Sequence, residues 1–242
     1  MAKRLNLADA FFLNAESRDA YMHVAMLHRY EIPRDGGESW VSEQLERMRQ
    51  FAVDQPPFNL RLKPGLVGKV VPAWEVDHDI DIDYHLRHAA LPKPGGEREL
   101  GILVSRLHSQ PLDKNRPLWE CTLIEGLNDG TFALYFKIHH ALMDGMSGSR
   151  TMSRCLSPNP DERGMPAFWA MPPLPRSSTG IPKAIIESAQ ALARPTVLNV
   201  LSQAFSAWMR MLRASLASGL IGPYRTPACA LNGSISPQRR FA

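Results

Sequence analysis

The sequence predicts an α/β fold, a β-sheet flanked by helices. Three observations carry this. "RPLWECTLIEG" (116–126) and "GTFALYFKIHH" (130–140) read as two strands joined by "LNDG", whose Asp129-Gly130 suits a hairpin turn. Both strands are apolar on both faces in places, which predicts a sheet covered on both sides. Stretches with apolar residues at helical spacing precede them, supplying the cover.

Taken in order, "LNLADAFFLNAES" reads as a short helix and "MHVAMLHRYEI" (22–32) as a loosely alternating strand. Ser39 precedes "WVSEQLERMRQF", where Trp40, Leu45 and Met48 fall roughly on one side of a helix. "GKVVPAWEVD" is a strand weakened by Pro72. In "DIDIDYHLRH" (79–88), Ile80, Ile82, Tyr84 and Leu86 alternate with Asp79, Asp81, Asp83, His85 and Arg87, predicting a strand with one wet face. Its acids do not fit a calcium loop, because Ile82 or Tyr84 falls where an EF-hand needs glycine. "PKPGGERELGILVSRLHSQPLD" opens on a Pro/Gly turn and continues as a helix carrying Leu100, Leu103, Val104 and Leu107. After the hairpin, a further helix is expected from about Gly145 to Leu156.

The character changes at 157. Residues 157–182 hold seven prolines and predict a linker or an extended crossing segment. Helices are expected at about 183–193 and 196–217, separated at Pro195, and residues 222–242 are turn-rich. The domain reading is therefore 1–156, a linker at 157–182, amphipathic helices at 183–221, and a new segment from 222.

Charge is uneven along the chain. Residues 171–242 hold eight Lys/Arg and one acid, Glu187, against 20 basic and 23 acidic residues before them. Such a tail suits a lipid surface, a phosphate-bearing ligand or an acidic partner, or a solvated helix surface. In 196–217, Val197, Leu201, Phe205, Trp208, Leu212 and Leu216 form a wide apolar stripe, which favours packing over lying on a membrane. The arginines are scattered and no recognised motif appears, so nucleic-acid binding is not expected. Cys121, Cys155 and Cys229 are widely spaced and odd in number, which argues against a zinc knuckle or a disulfide framework and for a reducing compartment. The N-terminus lacks a signal-peptide core, and no run of about 18 apolar residues occurs to span a membrane as a helix.

The chemistry concentrates in "FKIHHALMDGMSG" (136–148). Neighbouring strand residues point to opposite faces, so His139 and His140 cannot serve one ligand together while the strand continues. One imidazole is expected to face a cleft and the other to pack or hydrogen-bond behind it. Asp144 falls near the start of the next helix, where a carboxylate accepts backbone N–H groups and meets the helix dipole favourably. Gly145 and Gly148 would permit close backbone approach or unusual dihedrals. Three readings compete at this point: a structural histidine pair, a metal site and a general base. A metal site lacks an HxxxH helix and a third ligand. A histidine base contributes roughly 10²–10⁴ in rate. No GxSxG elbow offers a covalent nucleophile, so direct transfer between two bound substrates is the better fit for an enzyme.

His-His-x-x-x-Asp-Gly resembles the signature of the CoA-dependent acyltransferase superfamily. "LADAFFLNAESRDAYMHVAML", "DIDIDYHLRHAALPKPGGERELGILVSRLHSQPLDKNRPLWE" and "LYFKIHHALMDGMSG" are similar to the N-terminal half of the bacterial wax ester synthase/diacylglycerol acyltransferase family. The likeness runs from Leu7 to about Leu156 and resumes near "TPACALNGSISPQRRFA". It implies a chloramphenicol acetyltransferase-like half with a mixed sheet flanked by helices, one of two similar halves that meet at a tunnel. It also implies that His140 is the general base, supported by His139. Asp144 would orient the loop and Gly145 would serve the motif backbone. The family's Pro-Leu-Trp motif falls on Pro117, Leu118 and Trp119, near the substrate or lining its site; plain strand packing explains the triplet equally well. The implied substrates are a fatty acyl-CoA and a fatty alcohol or diacylglycerol. Neither a metal nor a cofactor is implied, since acyl-CoA is itself a substrate. Family members run to roughly double this length, so 183–221 would bridge to a C-terminal half that 222–242 begins, and the rest of that half is an expected partner, as a second chain or lost by truncation. The expected location is the cytoplasm, with peripheral contact to the inner membrane or lipid inclusions. Two other readings remain: a condensation-type acyltransferase using carrier-bound acyl groups, and a non-catalytic lipid-surface half-protein.

Overall fold

The computed structural model describes residues 3–5, 7–63, 72–159 and 162–173. They fall in one compact unit, Met1–Leu174 with Ile235–Ala242. The expectations for 174–242, including the 196–217 helix, lie outside the described residues.

In chain order the elements are β1 (Lys3–Arg4), α1 (Leu7–Ala15), β2 (His23–Glu31), α2 (Trp40–Arg49), β3 (Leu60–Leu62) and β4 (Ala73–Val76). A helical turn α3 (Ile82–His85), β5 (Leu86–Ala90), α4 (Glu97–His108), β6 (Trp119–Glu125), β7 (Thr131–His139) and α5 (Gly145–Arg154) follow. A 3₁₀ turn closes the series at Phe168–Ala170. The principal sheet has the order β2-β7-β6-β5, antiparallel except for the parallel pair β5–β6, and is therefore mixed. A smaller sheet orders β1-β4-β3.

The two faces of β7 enter different packing layers, as period-two alternation requires. Phe132, Leu134, Phe136 and Ile138 join Leu45 of α2, Met152 of α5 and Trp119 in one cluster. Ala133 and Tyr135 pack with Leu100 and Val104 of α4 on the other. Fully burying such side chains stabilises by about 1.5–3 kcal/mol each. The expectation of a sheet covered on both sides holds: nearly every residue of β6 and β7 is buried.

Lys137 lies on the α4 face and is wholly buried. Its Nζ donates to the carbonyls of Leu107 (2.9 Å) and Gln110 (3.0 Å) and lies 3.2 Å from Glu120 Oε2. A cation thus meets carbonyls at and just past the end of α4, tying that helix to the strand that carries the histidines. The turn before α4 needs glycine at Gly95, where φ is +74° and a Cβ would come within 2.0 Å of the Gly126 carbonyl oxygen.

One expectation is corrected. "DIDIDYHLRH" is not a continuous strand. The Asp81 carboxylate accepts the N–H groups of Asp83 (3.1 Å) and Tyr84 (3.3 Å), capping α3, and β5 begins only at Leu86. A short acidic side chain here satisfies local backbone donors, so a helical turn outcompetes the ladder. In consequence His85, placed by alternation on the wet face, is 1% exposed. Within 157–173, the stretch around the 3₁₀ turn is not free of the body: Phe168 and Trp169 are buried in the same cluster as Trp119.

Candidate active site

β7 ends at His139, and three separate hydrogen-bonding partners fix that end. The His139 N–H donates to the Leu118 carbonyl at 2.9 Å, and the His140 N–H to the Met22 carbonyl at 2.8 Å. The chain then turns, with the N–H of Leu142 donating to the His139 carbonyl at 2.9 Å. Asp144 ends the turn and caps α5, its Oδ1 accepting the Ser147 N–H at 2.7 Å. That hydrogen bond holds the Asp144 carboxyl below the usual aspartate range.

The two imidazoles are held differently. His139 is 1% exposed, and its Nδ1 accepts the Ala141 N–H at 3.0 Å. A neutral ring with Nδ1 as acceptor carries its proton on Nε2. That nitrogen lies 3.8 Å from Glu16 Oε2. His140 is only half-buried, and its Nδ1 makes no hydrogen bond. The Phe12 ring of α1 stacks on the His140 ring at 3.9 Å between centroids and 26° between planes. His139 is therefore bonded into its own turn, whereas the His140 Nδ1 is buried without a hydrogen-bond partner.

Gly145 starts α5. A Cβ there would meet nothing within 4 Å, so no contact among the described residues demands glycine. At Gly148 a Cβ would lie 3.3 Å from Met26 Cε, a tight contact with the end of a flexible side chain. Pro117, Leu118 and Trp119 are all buried. The Leu118 carbonyl anchors His139 as above. Trp119 is 0% exposed, donates from Nε1 to the Phe58 carbonyl at 2.9 Å, and stacks on His85 and Trp169. Within the triplet, the Leu118 carbonyl meets the histidine end of β7, and Trp119 packs in the core.

Sequence reasoning missed Phe12, Glu16 and Lys114. The Glu16 side chain is 7% exposed and lies 2.5 Å from Lys114 Nζ. Burial pushes the Glu16 carboxyl up, but His139 and Lys114 outweigh burial and hold it at about 2. These residues are far apart in the chain and carry no spacing signal that could have linked them to the motif. Below the site, His23 pairs with His139 across β2 and β7, and its Nε2 lies 2.9 Å from the His108 carbonyl. Burial, helped by Lys137 and His108, lowers its pKa to about 4.

A mixed sheet flanked by helices, ending in a histidine pair and followed by a capped helix, places the chain in the α/β class, with an acyltransferase-like architecture. Residues 5–242 match the wax ester synthase/diacylglycerol acyltransferase catalytic domain, and the chain belongs to that family. It is 39% identical over 237 residues to a probable diacylglycerol O-acyltransferase of Mycobacterium tuberculosis, covering 97% of this chain and 51% of that protein. It is 35% identical over 246 residues to an O-acyltransferase of Acinetobacter baylyi, covering 98% and 51%. The solved wax ester synthase/diacylglycerol acyltransferase from Marinobacter aquaeolei VT8 superposes with a TM-score of 0.73 at 36% identity, covering 99% of this chain and 52% of that one. The chain spans about half the length of the curated relatives it matches. Among the described residues no helix is long and apolar enough to cross a membrane.

Proposed function

We propose that this chain supplies the base-bearing half of an O-acyltransferase that moves a fatty acyl group from acyl-CoA to a long-chain alcohol or diacylglycerol. His140 takes the proton from the acceptor hydroxyl. The oxygen attacks the thioester carbonyl, the C–S bond breaks, and the departing CoA sulfur recovers the proton from the imidazolium. Proton transfer of this kind is worth roughly 10²–10⁴ in rate. Alignment of the two reactants is worth up to about 7–11 kcal/mol more. His139 and Asp144 hold the loop, and Pro117, Leu118 and Trp119 back it.

The observation that carries this reading is the difference between the two rings: His139 is sealed with its Nδ1 bonded to the Ala141 N–H, while the His140 ring is half-buried and its Nδ1, itself a buried atom, has no partner. The family and its relatives' names support the ester product. A C-terminal partner half is part of the reading, supported by the half-length match. So is peripheral contact with a lipid surface, supported by the basic 171–242 stretch. The test is to supply palmitoyl-CoA with hexadecanol, and separately with dipalmitoylglycerol, to the chain alone and to the chain mixed with a C-terminal half taken from a relative. CoA release matched mole for mole by ester supports the proposal. No ester in either mixture rejects it.

A further inference from the structure

Glu16 lies outside the histidine motif, one residue beyond α1. Burying a carboxylate costs several kcal/mol unless charge and hydrogen bonds compensate. Lys114, half-exposed, offers a partner at 2.5 Å. Anchoring α1 to Lys114 would not by itself require Glu16 to be buried, since an exposed ion pair could do as much and would contribute little to stability. What burial adds is the approach to His139.

Glu16 Oε2, held by Lys114 Nζ at 2.5 Å, faces the buried His139 Nε2 at 3.8 Å, and that ring nitrogen has no hydrogen-bond partner. The Ala141 N–H fills Nδ1, so the Nε2 aimed at the carboxylate is the nitrogen bearing the proton. A shift of about 1 Å closes the gap to hydrogen-bond length. Rotation of the His139 ring would give up both this attraction and the Ala141 bond. Ala141 is the residue after His140, so the orientation of the His139 ring bears directly on the backbone that presents His140. From the same helix, Phe12 covers one face of the His140 ring.

We propose that Glu16 is a positioning residue: through His139 it fixes the turn on which His140 is displayed. The proposal rests on the reading of His140 as the base, and it predicts an effect on turnover with little effect on substrate affinity.

Two variants test it. Glu16→Gln keeps the shape and removes the charge. The double reversal Glu16→Lys/Lys114→Glu restores an ion pair but sets a cation against the His139 Nε2 proton. Each is expected to lower kcat tenfold or more, with KM within twofold and Glu16→Gln still cooperatively folded. Wild-type kcat in Glu16→Gln, or recovery of kcat in the double reversal, would show that Glu16 merely anchors α1 and would overturn the proposal. NMR of the histidine ring nitrogens gives a readout independent of turnover. In Glu16→Gln the His139 Nε2 proton should move upfield and the His140 ring resonances should shift. Unchanged His140 resonances would overturn the proposal. The expected shifts in a chain without turnover would sustain it and count against the acyltransferase reading instead.

Discussion

Replacing Trp119 with phenylalanine separates packing from substrate contact. Trp119 is 0% exposed and lies between His85, with ring centroids 4.4 Å apart, and Trp169, at 5.5 Å. Phenylalanine cannot donate to the Phe58 carbonyl, now bonded at 2.9 Å. An acceptor left buried without a partner costs about 1–3 kcal/mol. The lost ring atoms leave a gap between two stacked neighbours, costing about 1–2 kcal/mol more. The sum, about 2–5 kcal/mol, is a large share of the 5–15 kcal/mol by which domains are typically stable. Urea unfolding should show the midpoint falling with the slope unchanged. KM for both substrates should hold in the folded variant, because the indole is sealed in the core. A loss below about 1 kcal/mol accompanied by a tenfold rise in KM would refute the packing argument. It would make Trp119 a substrate contact.

The remaining predictions concern pH and the cap. Burial lowers the pKa of His23 and of His85 from 6.5 to about 4. Their folded values lie below the unfolded ones, so the stability they contribute is complete above about 6.5 and is lost as pH falls towards 4. Glu16, lowered from 4.5 to about 2, adds a further loss below 4.5. Urea midpoints should therefore decline from pH 7 to pH 4, less steeply in His85→Gln, and a flat profile would contradict this. Asp144→Ala removes the acceptor of the Ser147 N–H and should cost about 1 kcal/mol, whereas Asp144→Asn keeps an oxygen there and most of the stability. Thermal melts check both variants, and equal melts for Ala and wild type would contradict the cap.

Much of the fold was legible in the sequence because its signals are local. The β6–β7 hairpin follows from a turn dipeptide and apolar runs, α4 from helical spacing, and the α5 cap from an aspartate before a helix. The Asp81 region misled because an aspartate in an alternating stretch reads equally as a wet strand face and as a cap, and only the geometry of its carboxylate decides. Phe168 and Trp169, in a proline-rich stretch, reach the core through contacts distant in sequence. His139 and His140 were legible as a pair, since a strand must separate adjacent side chains. The surroundings of the two rings come from Ala141, Phe12 and Glu16, and two of these lie more than a hundred residues earlier. Gly145 shows the converse: a motif residue whose steric need does not appear among its described neighbours.

The central claim is that the half-buried His140, and not the sealed His139, carries the proton. Turnover of palmitoyl-CoA and hexadecanol by His140→Ala, in protein that melts like wild type, tests it most directly. The account predicts a loss of roughly 10²–10⁴-fold in kcat. Turnover equal to wild type would contradict it.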